Sequence, residues 1–292
     1  MYELIRVSER CAYIDSPAKI GVYMAGERDV YLIDSGSDKD VGRKVRQILD
    51  KNGWNLKGIL VTHSNADHIG GCQYLQKQTG CPVFSGGIEA CFTAHTILEP
   101  AFLFGGYPCK ELRHKFLLAQ ECTVTDFSDP AFPGEVEIIP LPGHYFDMVG
   151  YRMPDGTVFL ADCISSAATL EKYAVSFIYD VQAYLATLDM VEGMQAAMFV
   201  PSHADPGTDL RSLIKINRAK VHEIADAILA ICADGLNFEE ILKRLFEKYN
   251  LTMTMQQYVL VGSTVKSYLS WLKDAGRMEI EIRDHMVLWK TA

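Results

Sequence analysis

Short β-rich runs broken by turn residues fill positions 2–34, the last apolar run covering 30–33. From Asp38 the apolar spacing becomes helical, with Val41, Val45, Ile48 and Leu49 on one face. Gly53 stands where a left-handed residue would stop that helix. The run at 59–61 is too short for a helix and reads as a buried strand. A second helix is predicted over 70–79, stopped at Gly80, and another short strand over 82–84. Strand alternating with helix gives an α/β protein, but periodicity alone does not separate two packed sheets from one doubly wound sheet.

Residues 86–130 are less regular and carry Phe92, Phe102, Phe104, Tyr107 and Phe116. They read as a helical insertion whose aromatics mostly fill a small core of their own. The competing reading is a cap that lends a site an apolar wall. Strand pattern returns over 135–140, and Asp155 with Gly156 forms a hairpin turn before 157–161. Residues 164–197 read as mainly helical, with Tyr173, Phe177 and Tyr179 as packing groups in preference to groups that face a site, and 199–200 as a last buried strand.

After Pro206 and Gly207 the composition shifts. Leu210, Leu213, Ile214, Ile224, Ile228 and Leu229 outline a long amphipathic helix ending near Gly235. Asn237 with Glu240 three residues on suits a second helix start. A third helix is predicted over 255–275, stopped by Gly276, with two strands around Asp284 and His285 over 277–290. The expected division is 1–206 and 207–292.

Chemistry gathers where strands end. His63, Asn65, Asp67 and His68 follow the 59–61 strand, then Gly70 and Gly71. In an extended segment alternate side chains share a face, and the glycines let the chain turn so that His68 joins them. Two imidazoles, a carboxylate and an amide converging in this way suit a metal. A solvated polar loop is the competing reading of that stretch taken alone. His144, Asp162 and His203 each follow a further predicted strand. Asp34 reads as a turn former with Ser35 and Gly36, and neither His95 nor His114 is assigned to metal.

The segment from His63 resembles the His-x-His-x-Asp-His signature of the metallo-β-lactamase-fold hydrolases, with Asn65 in place of the second His. His144, Asp162 and His203 match the later ligands in order and strand-end context. The resemblance implies an αββα sandwich of two sheets with outer helices. It implies one metal position of Asp67, His68 and His203, and another of His63, residue 65 and His144, with Asp162 shared. Zinc, one or two ions, is the expected cofactor, with manganese or iron as alternatives. An amide oxygen is a neutral, hard donor better suited to Mg²⁺, Ca²⁺ or Mn²⁺ than to Zn²⁺, so the position beside Asn65 should be the weaker.

The family's His144 position is usually followed by small residues; here Tyr145, Phe146 and Asp147 follow. Asp67 is expected to orient the attacking water and Tyr145 to act as an oxyanion donor. The resemblance therefore implies a metal-activated water attacking a small ester, thioester or lactone. A metal-dependent nuclease and a non-catalytic metal-binding protein with a degenerate site are the alternatives. A di-iron, flavin-partnered variant would need a carboxylate at position 65 or 68, and ranks last. Three helices and a hairpin resemble the winged-helix tail of some members.

Charge bears on that choice. The 292 residues carry a formal net charge of −9. Residues 207–292 hold 12 Lys/Arg against 11 Asp/Glu, a net +1, leaving 16 against 26, or −10, in 1–206. That is weak support for nucleic acid as a partner and favours a small-molecule substrate, with the tail as a docked element or homodimer contact. With 49% hydrophobic and 22% charged residues the composition is globular. No apolar run approaches the roughly 20 residues of a bilayer span. No secretory signal is read at the N-terminus, and eight cysteines without a Cys-x-x-Cys pair suit a reducing, cytoplasmic setting.

Overall fold

The computed structural model describes residues 2–292. Four antiparallel strands open the first sheet: β1 (Leu4–Arg6), β2 (Cys11–Ile14), β3 (Ile20–Met24) and β4 (Asp29–Ile33). Helix α1 (Lys39–Asn52) then carries the chain to β5 (Asn55–Leu60), which runs parallel to β4. Past α2 (Ala66–Ile69) and α3 (Cys72–Thr79), β6 (Val83–Phe84) adds to the same sheet. Helices α4 (Gly87–Ala94) and α5 (Leu98–Phe104) precede its seventh strand, β7 (Val124–Thr125).

The second sheet has the order β11-β10-β9-β8, built from β8 (Glu137–Pro140), β9 (Val149–Arg152), β10 (Thr157–Ser165) and β11 (Met198–His203). Between β10 and β11, which are parallel, lie α6 (Ala167–Tyr173) and α7 (Val181–Gly193). The chain ends in α8 (Arg211–Ile231), α9 (Phe238–Lys248), α10 (Met255–Asp274) and the antiparallel hairpin β12 (Met278–Arg283) and β13 (Met286–Thr291).

Strand alternation builds the layers. On β3, Ile20, Val22 and Met24 pack with Val41, Val45 and Leu49 of α1 and Leu75 of α3. Tyr23, on the opposite face, joins Leu60 and Phe84 against Tyr151, Phe159 and Val200 of the second sheet. The outer face of that sheet packs on α7 to α10, with Leu160, Ile164, Leu188, Ile224 and Leu269 in one cluster. The result is the αββα sandwich. No helix of the described residues is long and apolar enough to cross a membrane.

The caps of α1 are as the sequence suggests: Asp38 accepts from the Asp40 and Val41 amides, and Gly53 has φ 66°. Asn237 caps α9 through the Glu240 amide. Three expectations are corrected. The helix predicted over 70–79 starts two residues later, as α3, and the unpredicted turn α2 precedes it, the two meeting at Gly70 and Gly71. A Cβ at either position would overlap the backbone of Ser35 or Ser37, so the pair lets the segment after β5 lie against that turn. The 86–130 stretch is not wholly an insertion, since β7 pairs with β6. The small core of that stretch is Leu103, Leu112, Leu117 and Val259, whereas Phe104, Tyr107 and Phe116 are exposed.

Candidate metal centre

The sandwich brings strand ends to one edge. His63 follows β5, Asp67 and His68 sit on α2, His144 lies between β8 and β9, Asp162 is on β10, and His203 closes β11. At Asp162 the β10–β11 register shifts on either side of Ala161, whose φ is +49°. An irregularity of this kind re-aims a side chain, here at the site.

All six expected His and Asp ligands converge, in two groups: His63, His144 and Asp162, and Asp67, His68 and His203. Within each group the donor atoms lie within 4.8 Å of one another. Asp162 joins the groups. Its Oδ2 is 3.9 Å from His63 Nε2, 3.7 Å from His144 Nε2 and 3.0 Å from His203 Nε2. Its Oδ1 is 3.2 Å from His68 Nε2. Asp67 Oδ2 lies 3.8 Å from His68 Nε2 and 3.7 Å from His203 Nε2.

The other ring nitrogens are already engaged. His68 Nδ1 is 2.7 Å from Asp34 Oδ2, His63 Nδ1 is 3.0 Å from Thr62 Oγ1, and His203 Nδ1 is 2.9 Å from the Pro17 carbonyl. Asp34 is held in turn by the Thr62 amide and hydroxyl, at 2.8 and 2.7 Å. Such outer partners orient each imidazole and direct Nε2 inward. Nε2 of both His63 and His68 is buried with no hydrogen-bond partner among the described residues. Leaving buried polar atoms unpaired is costly. Two of them beside shared carboxylates fit a divalent cation, and the N/O donor set suits one.

The sequence profile of the metallo-beta-lactamase superfamily matches residues 21–203. The chain belongs to the metallo-beta-lactamase superfamily. A beta-lactamase domain protein from Burkholderia ambifaria has the same fold at TM-score 0.73 and 17% identity, covering 99% of this chain and 94% of that one. A metallo-beta-lactamase family protein from Thermus thermophilus gives 0.69 at 16%, covering 99% and 98%. Among curated relatives, a hydroxyacylglutathione hydrolase from a Bradyrhizobium strain is 30% identical over 44% of this chain and 41% of its own length. Another from Shewanella denitrificans is 28% identical over 50% and 46%. The chain thus spans under half the length of these two relatives. A probable metallo-hydrolase of Bacillus subtilis is 25% identical over 66% of this chain and 84% of its own. Metallo-beta-lactamase superfamily members bind divalent metals.

The electrostatics of the two donor groups differ. Burial, with His68 adjacent, holds His63 well below the usual imidazole range, leaving it a neutral donor. Burial opposes charge on His68 too, but Asp162, Asp67 and Asp34 together outweigh it and raise it well above that range. Burial likewise disfavours charge on Asp162, yet His203 and His68 prevail and hold its carboxyl well below the carboxylate range. A cation entering the second group must therefore displace a proton, so its binding weakens as pH falls.

Asn65 lies with the first group, its Oδ1 3.2 Å from His144 Nε2 and its Nδ2 donating to Glu99 Oε1 at 2.8 Å. Tyr145 is wholly enclosed, 6.1 Å ring to ring from His63 and packed against Phe92, Phe146 and Phe177. Its hydroxyl has no hydrogen-bond partner among the described residues, and burial pushes it well above its usual range. Phe177, for which packing was favoured over facing the site, meets the His144 ring edge-on at 5.6 Å.

Sequence reasoning missed two buried glutamates. Glu89 accepts from the Ser64 amide and hydroxyl at 2.8 and 2.6 Å and from the Asp147 amide at 3.0 Å. It thereby ties the His63 and His144 loops together, and burial pushes its carboxyl up to about 7. Glu99 is the other. Each falls three residues before a Phe, at Phe92 and Phe102, on the apolar side of its helix. A charge in an apolar stripe was the available signal.

Proposed function

We propose that the chain is a metal-dependent hydrolase of a small ester, thioester or lactone. The observation carrying this is the pair of three-residue donor groups joined through Asp162. A divalent ion held there supplies Lewis acidity and lowers the pKa of its water from 15.7 to about 7. We assign one position to Asp67, His68 and His203 and the other to His63, Asn65 and His144, with Asp162 common to both and zinc the favoured ion. Asp67, half-exposed at 46% of its side chain, is the carboxylate that can orient a water in the cleft. Support for Tyr145 as oxyanion donor is slighter, because its hydroxyl is sealed beside Ser64 rather than open to substrate. Phe177 and the stacked Phe146 and Tyr179, 4.0 Å apart, supply an apolar wall next to His144. The hydroxyacylglutathione hydrolase relatives support an acyl substrate.

Purified protein, analysed for metal, should hydrolyse a member of a panel of phenyl esters, acyl thioesters and lactones, and lose that turnover to a chelator. Turnover of phosphodiesters alone would overturn the acyl reading, and no turnover on any member would overturn the enzyme reading.

The amide at position 65 leads to an expected asymmetry. Mild chelation should remove one ion before the other, and Asn65→His should raise zinc occupancy at the first position by restoring a nitrogen donor. Counting bound metal during chelator titration checks this. Simultaneous loss of two ions from wild type would contradict it.

We assign residues 207–292 as a winged-helix-like element docked on the second sheet, with a homodimer and a cytosolic setting as parts of the same reading. Eight free cysteines support the latter. One face of the hairpin exposes Ile280, Ile282 and Val287, and the other carries Glu279 and Glu281 beside Arg283 and Lys290, so neither is a basic face. Arg283 is paired with Glu281 at 2.8 Å. Backbone binding rests on several Lys or Arg phosphate contacts. Gel-shift titrations with DNA and RNA at low salt should therefore show no tight, salt-sensitive complex.

A further inference from the structure

We propose that Glu99 is a positioning residue: it turns the Asn65 amide so that the carbonyl oxygen, not the NH₂, faces the His63–His144–Asp162 group. The inference rests on the metal reading above and not on any substrate.

An Asn side chain has two unlike ends, an acceptor oxygen and a donor NH₂. Only the oxygen end is useful towards a cation. Nothing intrinsic to Asn65 selects it, and the usual structural employment of this position has been given up. Asn65 is the N-cap residue of α2, yet its side chain makes no capping hydrogen bond, although Asn at an N-cap ordinarily accepts one from the first turn. Instead Nδ2 donates to Glu99 Oε1 at 2.8 Å, and Oδ1 is left 3.2 Å from His144 Nε2, a donor atom of the first group.

Glu99 is placed as an acceptor for this purpose. It is fixed on α5 at 4% exposure. The charged groups acting on it, Asp67 and Glu89, are both anionic, so ion pairing does not explain its burial. A carboxyl keeps an acceptor oxygen in either protonation state, and that oxygen is what sorts the two ends of the amide. A buried carboxyl without a cation is costly. Its persistence in contact with residue 65 is accounted for by this orientation.

The test is a double-mutant cycle read as metal affinity. Full-length protein is stripped with a chelator and titrated with Co²⁺ against a competing indicator, so that both positions are counted. Glu99→Met should weaken the Asn65-side position by about 10- to 100-fold, the range for loss of an outer-shell partner. The Asp67–His68–His203 position should be unchanged, and Glu99→Gln, which keeps an acceptor, should stay close to wild type. In an Asn65→Ala background Glu99→Met should cost nothing further, because its effect passes through that amide. Equal losses in both backgrounds, or losses as large for Gln as for Met, would overturn the proposal. A measurement on unaltered protein guards against a Met variant that does not fold. On loading with Cd²⁺, the Asn65 side-chain carbonyl carbon resonance should move, and an unmoved carbonyl would overturn the orientation. None of these readings needs turnover, so a failed substrate panel leaves them intact.

Discussion

Asp162→Asn should empty both metal positions while leaving the sandwich folded. Among the described residues the carboxylate is the one group within 4 Å of a ring nitrogen from all four histidines of the site, three through Oδ2 and one through Oδ1. His203 and His68 keep it ionised despite its burial. The amide is nearly isosteric, so β10 keeps its packing through Leu160, Cys163 and Ile164, but its charge is gone from between the two groups. Lewis-acid stabilisation is worth several kcal/mol, and each 1.36 kcal/mol is tenfold in rate. Turnover on the best panel substrate should then fall by at least about 10³-fold. Metal analysis should find well under one ion per chain, with the circular dichroism spectrum unchanged. Two ions retained in Asp162→Asn would show that the carboxylate does not join the groups.

The convergence of the six His and Asp side chains was legible because they follow short apolar runs, and a strand end is where an α/β sandwich delivers side chains to a common edge. Asp34 was read as a turn former, and it is one, with φ +63°. Its second role, accepting from His68 Nδ1, depends on a partner 34 residues away that no local pattern reveals. Glu99 and Asn65 are also 34 residues apart, which hides their contact in the same way. Periodicity marked the apolar faces of α4 and α5 but not what they would meet. Phe92 and Phe102 therefore looked like filling for a local core, when they pack on Phe146 beside the His144 loop. Strand β7 has only two residues and exists through its pairing with β6, below any alternation signal. The C-terminal helices were legible one by one from their caps and stripes. That they share one apolar cluster with the second sheet was not, since a stripe names no partner.

Gly143→Ala should lower stability sharply and disturb the Asn65-side metal position before the other. Gly143 has φ +120°, and a Cβ there would overlap the backbone N and Cα of Tyr184 on α7. The approach is fixed from both sides, because the Gly143 carbonyl accepts from the Tyr179 and Asp180 amides, each at 3.0 Å. Neither a backbone clash nor these bonds can be relieved by a rotamer change, so the loop or α7 must shift. Overpacking costs typically about 1–3 kcal/mol, and a non-glycine residue in a sparsely populated backbone region about 1–3 more. At about 2–4 °C per kcal/mol for chains of 150–250 residues, a melting temperature lower by roughly 10 °C is expected. His144 is the next residue and is carried with the loop, so its group should lose metal. Asp67, His68 and His203 lie on other elements and should keep theirs. Gly80→Ala is the control for a positive φ without a contact: that glycine has φ +72°, against +120° at Gly143, and has nothing within 4 Å of a Cβ. Equal melting temperatures and equal metal contents for the two variants would mean that contact with α7 does not hold His144 in place.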